Sequence, residues 1–239
     1  MLKKTTVIAY CVLLLHSVAA AQQPTVQAPT VQPPASEPTR VQQPAAQRPA
    51  AQPVSQVSYE TLLEKVKKQE PGVNFKDLRM AYTETKHYKP YGGDRDTAKA
   101  MSAALEVKDY EKALALSEKV LASNYLDINA HFTAYAAHAH FGRGERAIYH
   151  EYVFENLLKS ISDSGDGKTM ETAFLVISTD EEYAWLSFMG LYPTGQSLVN
   201  DKGHHYDKMT AIDPKTNQSS SYFFNIDKPF NWLGNSLKK

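Results

Sequence analysis

The sequence predicts an α+β fold, with paired helices in the middle of the chain and a small antiparallel β-sheet near its C-terminal end. Three observations support this prediction. A two-helix pattern recurs at an offset of 34 residues, in segments 94–127 and 128–161. The hydrophobic pattern changes from helical to strand-like after residue 170. No aromatic residue occurs between Tyr10 and Tyr59, so the first quarter of the chain cannot form a core.

Residues 1–21 have the features of a cleavable signal peptide. Lys3 and Lys4 precede a mostly apolar run that is too short to anchor the chain in a bilayer. Consecutive alanines then form a small-x-small cleavage site. We expect cleavage after Ala21, with a cut after Ala19 as the alternative. The mature protein is therefore expected to be periplasmic or secreted, without a membrane span.

Cysteine usage and charge exclude several classes of function. The only cysteine, Cys11, lies in the predicted leader, and the large Tyr10 before it argues against a lipoprotein signal. The mature chain then has no disulfide, thiol nucleophile or cysteine metal ligand. Basic and acidic residues number 26 each, and removal of Lys3 and Lys4 leaves 24 against 26, a net charge of −2. This balance does not favour nucleic acid as a partner.

Residues 22–57 form a Pro/Gln-rich linker that contains eight of the thirteen prolines. Proline removes backbone donors and fixes φ, and the apolar content is too low to offset the entropy of ordering. We expect this segment to be disordered and to act as a spacer. A dispensable disordered leader is the alternative.

Residues 58–239 are expected to form a single globular domain, of which 58–161 are helical. Apolar residues at helical spacing, Pro and Gly breaks and the internal repeat predict about six helices. The first two lie around Tyr59–Val66 and Phe75–Tyr82, and the other four span 96–106, 110–122, 128–141 and 145–161.

The two repeated segments resemble the tetratricopeptide repeat. The resemblance rests on Asp109–Leu114, which is similar to the start of that family's second helix, and on Phe141–Ala147, which is similar to its turn. Met101 and Tyr135 replace the family's usual glycine. Two copies leave apolar faces uncovered, so the flanking segments are expected to cap them.

The resemblance implies a concave groove lined by first-helix positions. In this chain those positions include Arg95, Ser102, Glu106, Asn129, Phe132 and His140. Arg95, Asn129 and His140 could hold a peptide's backbone or carboxylate, and Phe132 offers an apolar contact. The alternative is a short groove that the N-terminal helices or the sheet fill.

The C-terminal segment, 162–239, is expected to add a small antiparallel sheet and one helix. Residues 171–178 read as a strand, and Thr179-x-x-Glu182 as a capping box that opens a helix through Met189. Further strands are expected at 196–199, 204–212 and 219–226. A sheet of three or four strands would then cover the last repeat helix.

Taken together, residues 58–239 resemble a family of bacterial exported proteins known as domain of unknown function 4919. The resemblance rests on four short stretches, which are Asn74–Tyr82, Tyr88–Tyr91, Glu181–Tyr183 and Tyr222–Phe224. It implies the architecture above and no activity.

The sequence contains no convergent set of catalytic or metal-binding residues. Ser162–Thr169 imitates a phosphate-binding loop but follows a helix and carries two aspartates, so we interpret it as a surface turn. His131 and His138 lie seven residues apart on one helix, too far to share an ion, and are interpreted as structural. Glu181 and Glu182 diverge within a first helical turn, which favours helix capping.

These observations favour a non-catalytic protein- or peptide-interaction module with a partner in the bacterial cell envelope, and without a cofactor or metal. Two alternatives remain open. One is a structural component of the envelope. The other is an enzyme whose site lies between the helices and the sheet, formed by Glu181, Tyr183, Gln196 and Asp207.

Overall fold

A computed structural model describes residues 57–91 and 93–238; the predicted signal peptide and, except for Val57, the predicted linker lie outside them. The described residues form eight helices and a four-stranded sheet, which confirms the predicted α+β class. The helices are α1 (Tyr59–Lys67), α2 (Phe75–Thr83), α3 (Arg95–Glu106), α4 (Tyr110–Ser123), α5 (Ile128–His140), α6 (Gly144–Ser162), α7 (Thr179–Phe188) and α8 (Asp227–Ser236). The strands are β1 (Phe174–Leu175), β2 (Tyr192–Asp201), β3 (His204–Asp213) and β4 (Gln218–Asn225).

The middle of the chain consists of two helical hairpins, α3–α4 and α5–α6, that repeat one backbone pattern. Helices α5 and α6 begin 33 and 34 residues after α3 and α4. Lys108 and Gly142 both have positive φ, 61° and 67°, at the turn of their hairpin. The Lys108 amide donates to the Leu105 carbonyl, and the Gly142 amide donates to that of Ala139. These equivalent turns, 34 residues apart, agree with the offset read from the sequence.

The left-handed turn gives a testable pair of substitutions. A Cβ atom at Gly142 would meet no atom within 4 Å, so Gly142→Ala strains only the backbone. We expect a loss of about 1 kcal/mol in the free energy of unfolding, measured by urea denaturation. The exposed Lys108 already has this strain, so Lys108→Gly should change stability in the opposite direction. Equal losses in both variants would contradict this explanation.

The sheet has the order β1-β4-β3-β2. Strands β2, β3 and β4 pair antiparallel as predicted, but β1 pairs parallel to β4, with Phe174 opposite Phe224. The predicted all-antiparallel sheet is therefore wrong at this edge, and the sheet is mixed. The predicted strand over 171–178 is also too long, because a tight loop precedes Phe174 and the Ile177 amide donates to the Glu181 carboxylate.

Two helices differ from their predictions. Helix α7 is capped by Ser178, whose hydroxyl accepts from the Glu181 amide at 3.3 Å, so the predicted capping box at Thr179 is wrong by one residue. Helix α8 was not expected. Its first turn contains Pro229, a residue that favours helix starts, and Asp227 accepts hydrogen bonds from the backbone of His205.

A buried ion pair joins the N-terminal helices to the C-terminal segment. The Arg79 guanidinium of α2 is fully buried and binds both Glu181 oxygens, at 2.8 and 2.6 Å. It also donates to the Ser160 hydroxyl of α6 and to the Leu175 carbonyl of β1. Arg79 thus connects α2 to α6, β1 and α7, all of which contribute to the main apolar core.

Candidate functional site

A cleft with a volume of about 910 Å³ lies between α3, the start of α5 and the start of α7. The loop that precedes α3 and the end of α4 complete its walls. The lining combines apolar side chains, such as Met101 and Ile128, with charged ones, such as Arg95 and Asp180. A concave volume of this size and mixed character is typical of ligand-binding sites.

Three helices begin at this cleft, and a polar side chain caps each of them. Asp94 accepts from the Thr97 amide at 3.0 Å, Asp127 from the Ala130 amide at 2.8 Å, and Ser178 from the Glu181 amide. The local sequence determines this arrangement, since Asp and Ser favour N-cap positions. The caps satisfy the first amides of α3, α5 and α7 and bring polar oxygen atoms to the wall of the cleft.

Two carboxylates, those of Asp127 and Asp180, line the cleft. Burial and then the nearby charge of Asp180 raise the pKa of Asp127 to about 6, against hydrogen bonds that lower it. Burial also raises the pKa of Asp180, while the positive charge of Arg95 opposes this change. Three exposed lysines also line the cleft, which are Lys86, Lys89 and Lys99. The lining therefore combines acidic and basic groups.

The structure brings together half of the predicted groove residues. Arg95, Ser102 and Asn129 line the cleft, whereas Glu106, Phe132 and His140 do not. The Phe132 ring packs against Phe154 of α6 and Phe188 of α7, with ring centroids 5.6 and 5.1 Å apart. The predicted groove is thus open at one end and filled at the other.

His140 and Glu106 lie outside the cleft for separate reasons. The His140 ring stacks on Tyr110 of α4, with centroids 4.1 Å apart, so it stabilises the contact between the hairpins. Glu106 is exposed at the end of α3.

Three of the four residues of the alternative site form a continuous polar chain. The Tyr183 hydroxyl donates to the Gln196 carbonyl at 3.1 Å, and the Gln196 amide donates to the Asp207 carboxylate at 2.7 Å. Glu181, the fourth residue, is bound to Arg79 instead. The chain joins α7 to β2 and β3, and none of its three members lines the 910 Å³ cleft.

Of the two acids interpreted as capping residues, Glu181 accepts a hydrogen bond from the Ile177 amide just before α7. Both side chains are buried, Glu181 against Arg79 and Glu182 without any exposed surface. Both oxygens of Glu182 lack a hydrogen-bond partner within the described part of the chain. Burial, followed by the charges of Asp207 and Glu181, raises the pKa of Glu182 well above its ordinary value.

The buried histidines connect α5 to α6. The His131 ring is 2.9 Å from that of His150, nitrogen to nitrogen, and its other nitrogen is 2.8 Å from the Tyr125 carbonyl oxygen. His138 stacks on the other side of His150. Burial lowers the pKa of His131 to about 3 and that of His150 to about 4, so both are neutral at physiological pH.

Residues 57–91 and 93–238 contain neither a cluster of metal-binding side chains nor a membrane-spanning helix. No group of three or more His, Cys, Asp or Glu side chains in these ranges could hold a metal ion. No helix in these ranges is long and apolar enough to span a bilayer.

Comparison with known proteins identifies one family. A model described as Domain of unknown function (DUF4919) matches residues 50–233, which is more than half of the chain. The chain belongs to this family. No curated protein and no solved structure matches the chain at the threshold applied.

Local patterns could have indicated some of the site residues that the sequence interpretation missed. Asp127 and Ser178 immediately precede predicted helices, where capping residues are expected, and both line the cleft. The burial of Glu182 had no such signal. A carboxylate in a first helical turn usually faces solvent, and Asp207 is distant in sequence.

Proposed function

We propose that this family member is a non-catalytic protein- or peptide-binding module of the bacterial envelope, and that its ligand binds in the cleft between α3, α5 and α7. The observation that carries the proposal is the cleft's lining, which includes Arg95, Ser102 and Asn129. The basic groups of the lining can bind peptide carboxylates or carbonyl groups. Its acidic groups, Asp127 and Asp180, can bind ammonium or guanidinium groups.

The cleft can be blocked without a change in charge. Ala98 lies on α3 and lines the cleft, so Ala98→Trp fills it with an indole ring. A random peptide library displayed on phage would be selected on the wild-type protein, and the enriched peptides measured by fluorescence anisotropy. We expect Ala98→Trp to weaken their binding about tenfold or more, equivalent to at least ~1.4 kcal/mol.

Ala115→Trp is the matched control, because Ala115 lies exposed on α4 and does not line the cleft. Its peptide affinities should equal those of the wild type, and circular dichroism should show that both variants are folded. If no peptide is enriched, or if enriched peptides bind Ala98→Trp as tightly as the wild type, the cleft is not a peptide-binding site.

Export to the periplasm or the medium is part of this proposal, and it is supported by the composition of residues 1–21. The protein purified from its native source should have the mass of a chain that begins at Gln22, as measured by intact mass spectrometry. Ala19→Leu/Ala21→Leu places larger side chains at the cleavage site and should cause the uncleaved precursor to accumulate. A native protein that retains residues 1–21 would contradict this prediction.

An enzymatic function remains the second candidate, because Tyr183, Gln196 and Asp207 form one hydrogen-bonded chain. These side chains are hydrogen-bonded to one another and lie outside the cleft that could admit a substrate. Glu181 is unsuited to proton transfer because both of its oxygens bind Arg79. This geometry gives binding in the cleft stronger support than catalysis.

A further inference from the structure

Glu182 is the most unusual titratable group between α7 and the sheet. Its side chain has no exposed surface, and its two oxygens are buried without hydrogen-bond partners among the described residues. An ionised carboxylate in such a place would lose its hydration without compensation. A neutral carboxylic acid is far less costly to bury, and it has an O–H group that can donate.

The charges around Glu182 also favour the neutral form. Those that act on it come from Asp207 on β3 and from Glu181 and Asp180 on its own helix, and all are acidic. The Arg79 guanidinium is paired with Glu181 and makes no hydrogen bond to Glu182. From the other packed elements, the Tyr91 hydroxyl of the loop before α3 and the Tyr183 hydroxyl face the same carboxyl groups, and neither is cationic.

We propose that Glu182 and Asp207 form a carboxyl pair that binds one proton at neutral pH, with Gln196 and Tyr183 hydrogen-bonded at its exposed edge. The hydrogen bond that Asp207 accepts from the Gln196 amide, at 2.7 Å, favours Asp207 as the ionised member. The Tyr183 hydroxyl holds Gln196 in place from the exposed side. The pair is a proton-binding site at the seam between α7 and the β2–β3 hairpin, and it does not depend on the ligand of the cleft.

The pair makes stability depend on pH in a defined direction. Burial raises the pKa of Glu182 in the folded state, so the folded protein holds a proton that the unfolded chain releases above the ordinary pKa of 4.5. The stabilisation is fully present below that value and is lost as pH rises towards the raised pKa. Across this window the unfolding equilibrium constant of the wild type should increase by up to tenfold per pH unit relative to that of Glu182→Gln.

Infrared spectroscopy can detect the proton directly. At pH 7 the folded full-length protein should show a carboxylic acid C=O band, and carboxyl-¹³C labelling of glutamate should shift that band. Glu182→Gln, a neutral side chain of similar size, should remove the band. Asp207→Asn should retain it, because Glu182 then keeps its proton beside a neutral amide.

Glu111→Gln serves as the control for the loss of one negative charge, since Glu111 is exposed on α4. It should leave both the band and the pH dependence unchanged. The absence of a carboxylic acid band from the wild type at pH 7, or a band that glutamate labelling does not shift, would overturn the proposal. The labelling result holds for the wild type alone, so the test remains decisive even if Glu182→Gln does not fold.

Discussion

Replacing Arg79 with methionine is expected to lower the free energy of unfolding by about 3–5 kcal/mol, among the largest effects of any single substitution in this protein. The guanidinium is fully buried and makes four hydrogen bonds, two of them to Glu181. Methionine fills much of the space but leaves the Glu181 carboxylate buried without its counterion. Urea denaturation of the wild type and the variant measures this loss.

A double variant separates the lost ion pair from the lost packing. Arg79→Met/Glu181→Leu removes both charges, so it should be more stable than Arg79→Met alone. The recovery should be incomplete, because the Ser160 hydroxyl, the Leu175 carbonyl and the Ile177 amide also lose a partner. If the double variant is less stable than the single one, the buried charge is not the cause of the effect.

This ion pair also shows why sequence patterns located the helices but not their polar partners. By their spacing, Arg79 lies on the same face of α2 as Phe75, Leu78 and Tyr82, and all four side chains are buried. A positively charged side chain that is buried among apolar residues needs an acidic partner, because an unpaired buried charge is very costly. The acid, Glu181, is 102 residues away and lies in a helix start where carboxylates are usually exposed. Spacing along the chain cannot identify such a pair.

The repeat was predictable for the opposite reason, because its determinants are local. The backbone turn at Lys108 and Gly142 depends on a few neighbouring residues and recurs with the offset of the sequence repeat. The groove was only partly predictable. Arg95 and Asn129 line the cleft, but the filling of the groove at Phe132 depends on Phe188, which comes from the C-terminal segment. Strand β1 likewise depends on its distant partner β4.

Gly167→Ala should also have a large effect, of about 3 kcal/mol. Gly167 lies in the segment that imitates a phosphate-binding loop, and it has a φ of 68°. An added Cβ would lie 2.3 Å from a ring carbon of Phe174, a core residue. The left-handed backbone contributes about 1–2 kcal/mol and the overpacking about 1–3 kcal/mol. Thermal and urea denaturation would measure the combined loss.

The hydrogen bonds of this loop explain why it is a structural turn. The amides of Asp166 and Gly167 both donate to the Thr172 carbonyl, at 3.0 and 2.8 Å, so they are not directed at a bound anion. The Asp166 carboxylate accepts from the Thr172 hydroxyl at 2.6 Å and would repel phosphate. The Gly167 carbonyl accepts from the Phe223 amide and so fixes the loop to β4. We therefore expect Gly167 to be needed for the packing of this loop and not for phosphate binding.

Two comparisons test that assignment. Gly142→Ala has the same backbone strain in open space, so the difference between the two alanine variants, about 2 kcal/mol, measures the contact with Phe174. Gly167→Ala/Phe174→Leu should lose less stability than the sum of its single variants, because the smaller side chain makes room for the methyl group. If the stability losses of the two single variants were additive, the Phe174 ring would not be the reason why a side chain at residue 167 is unfavourable. The strain of the left-handed backbone would then account for the effect by itself.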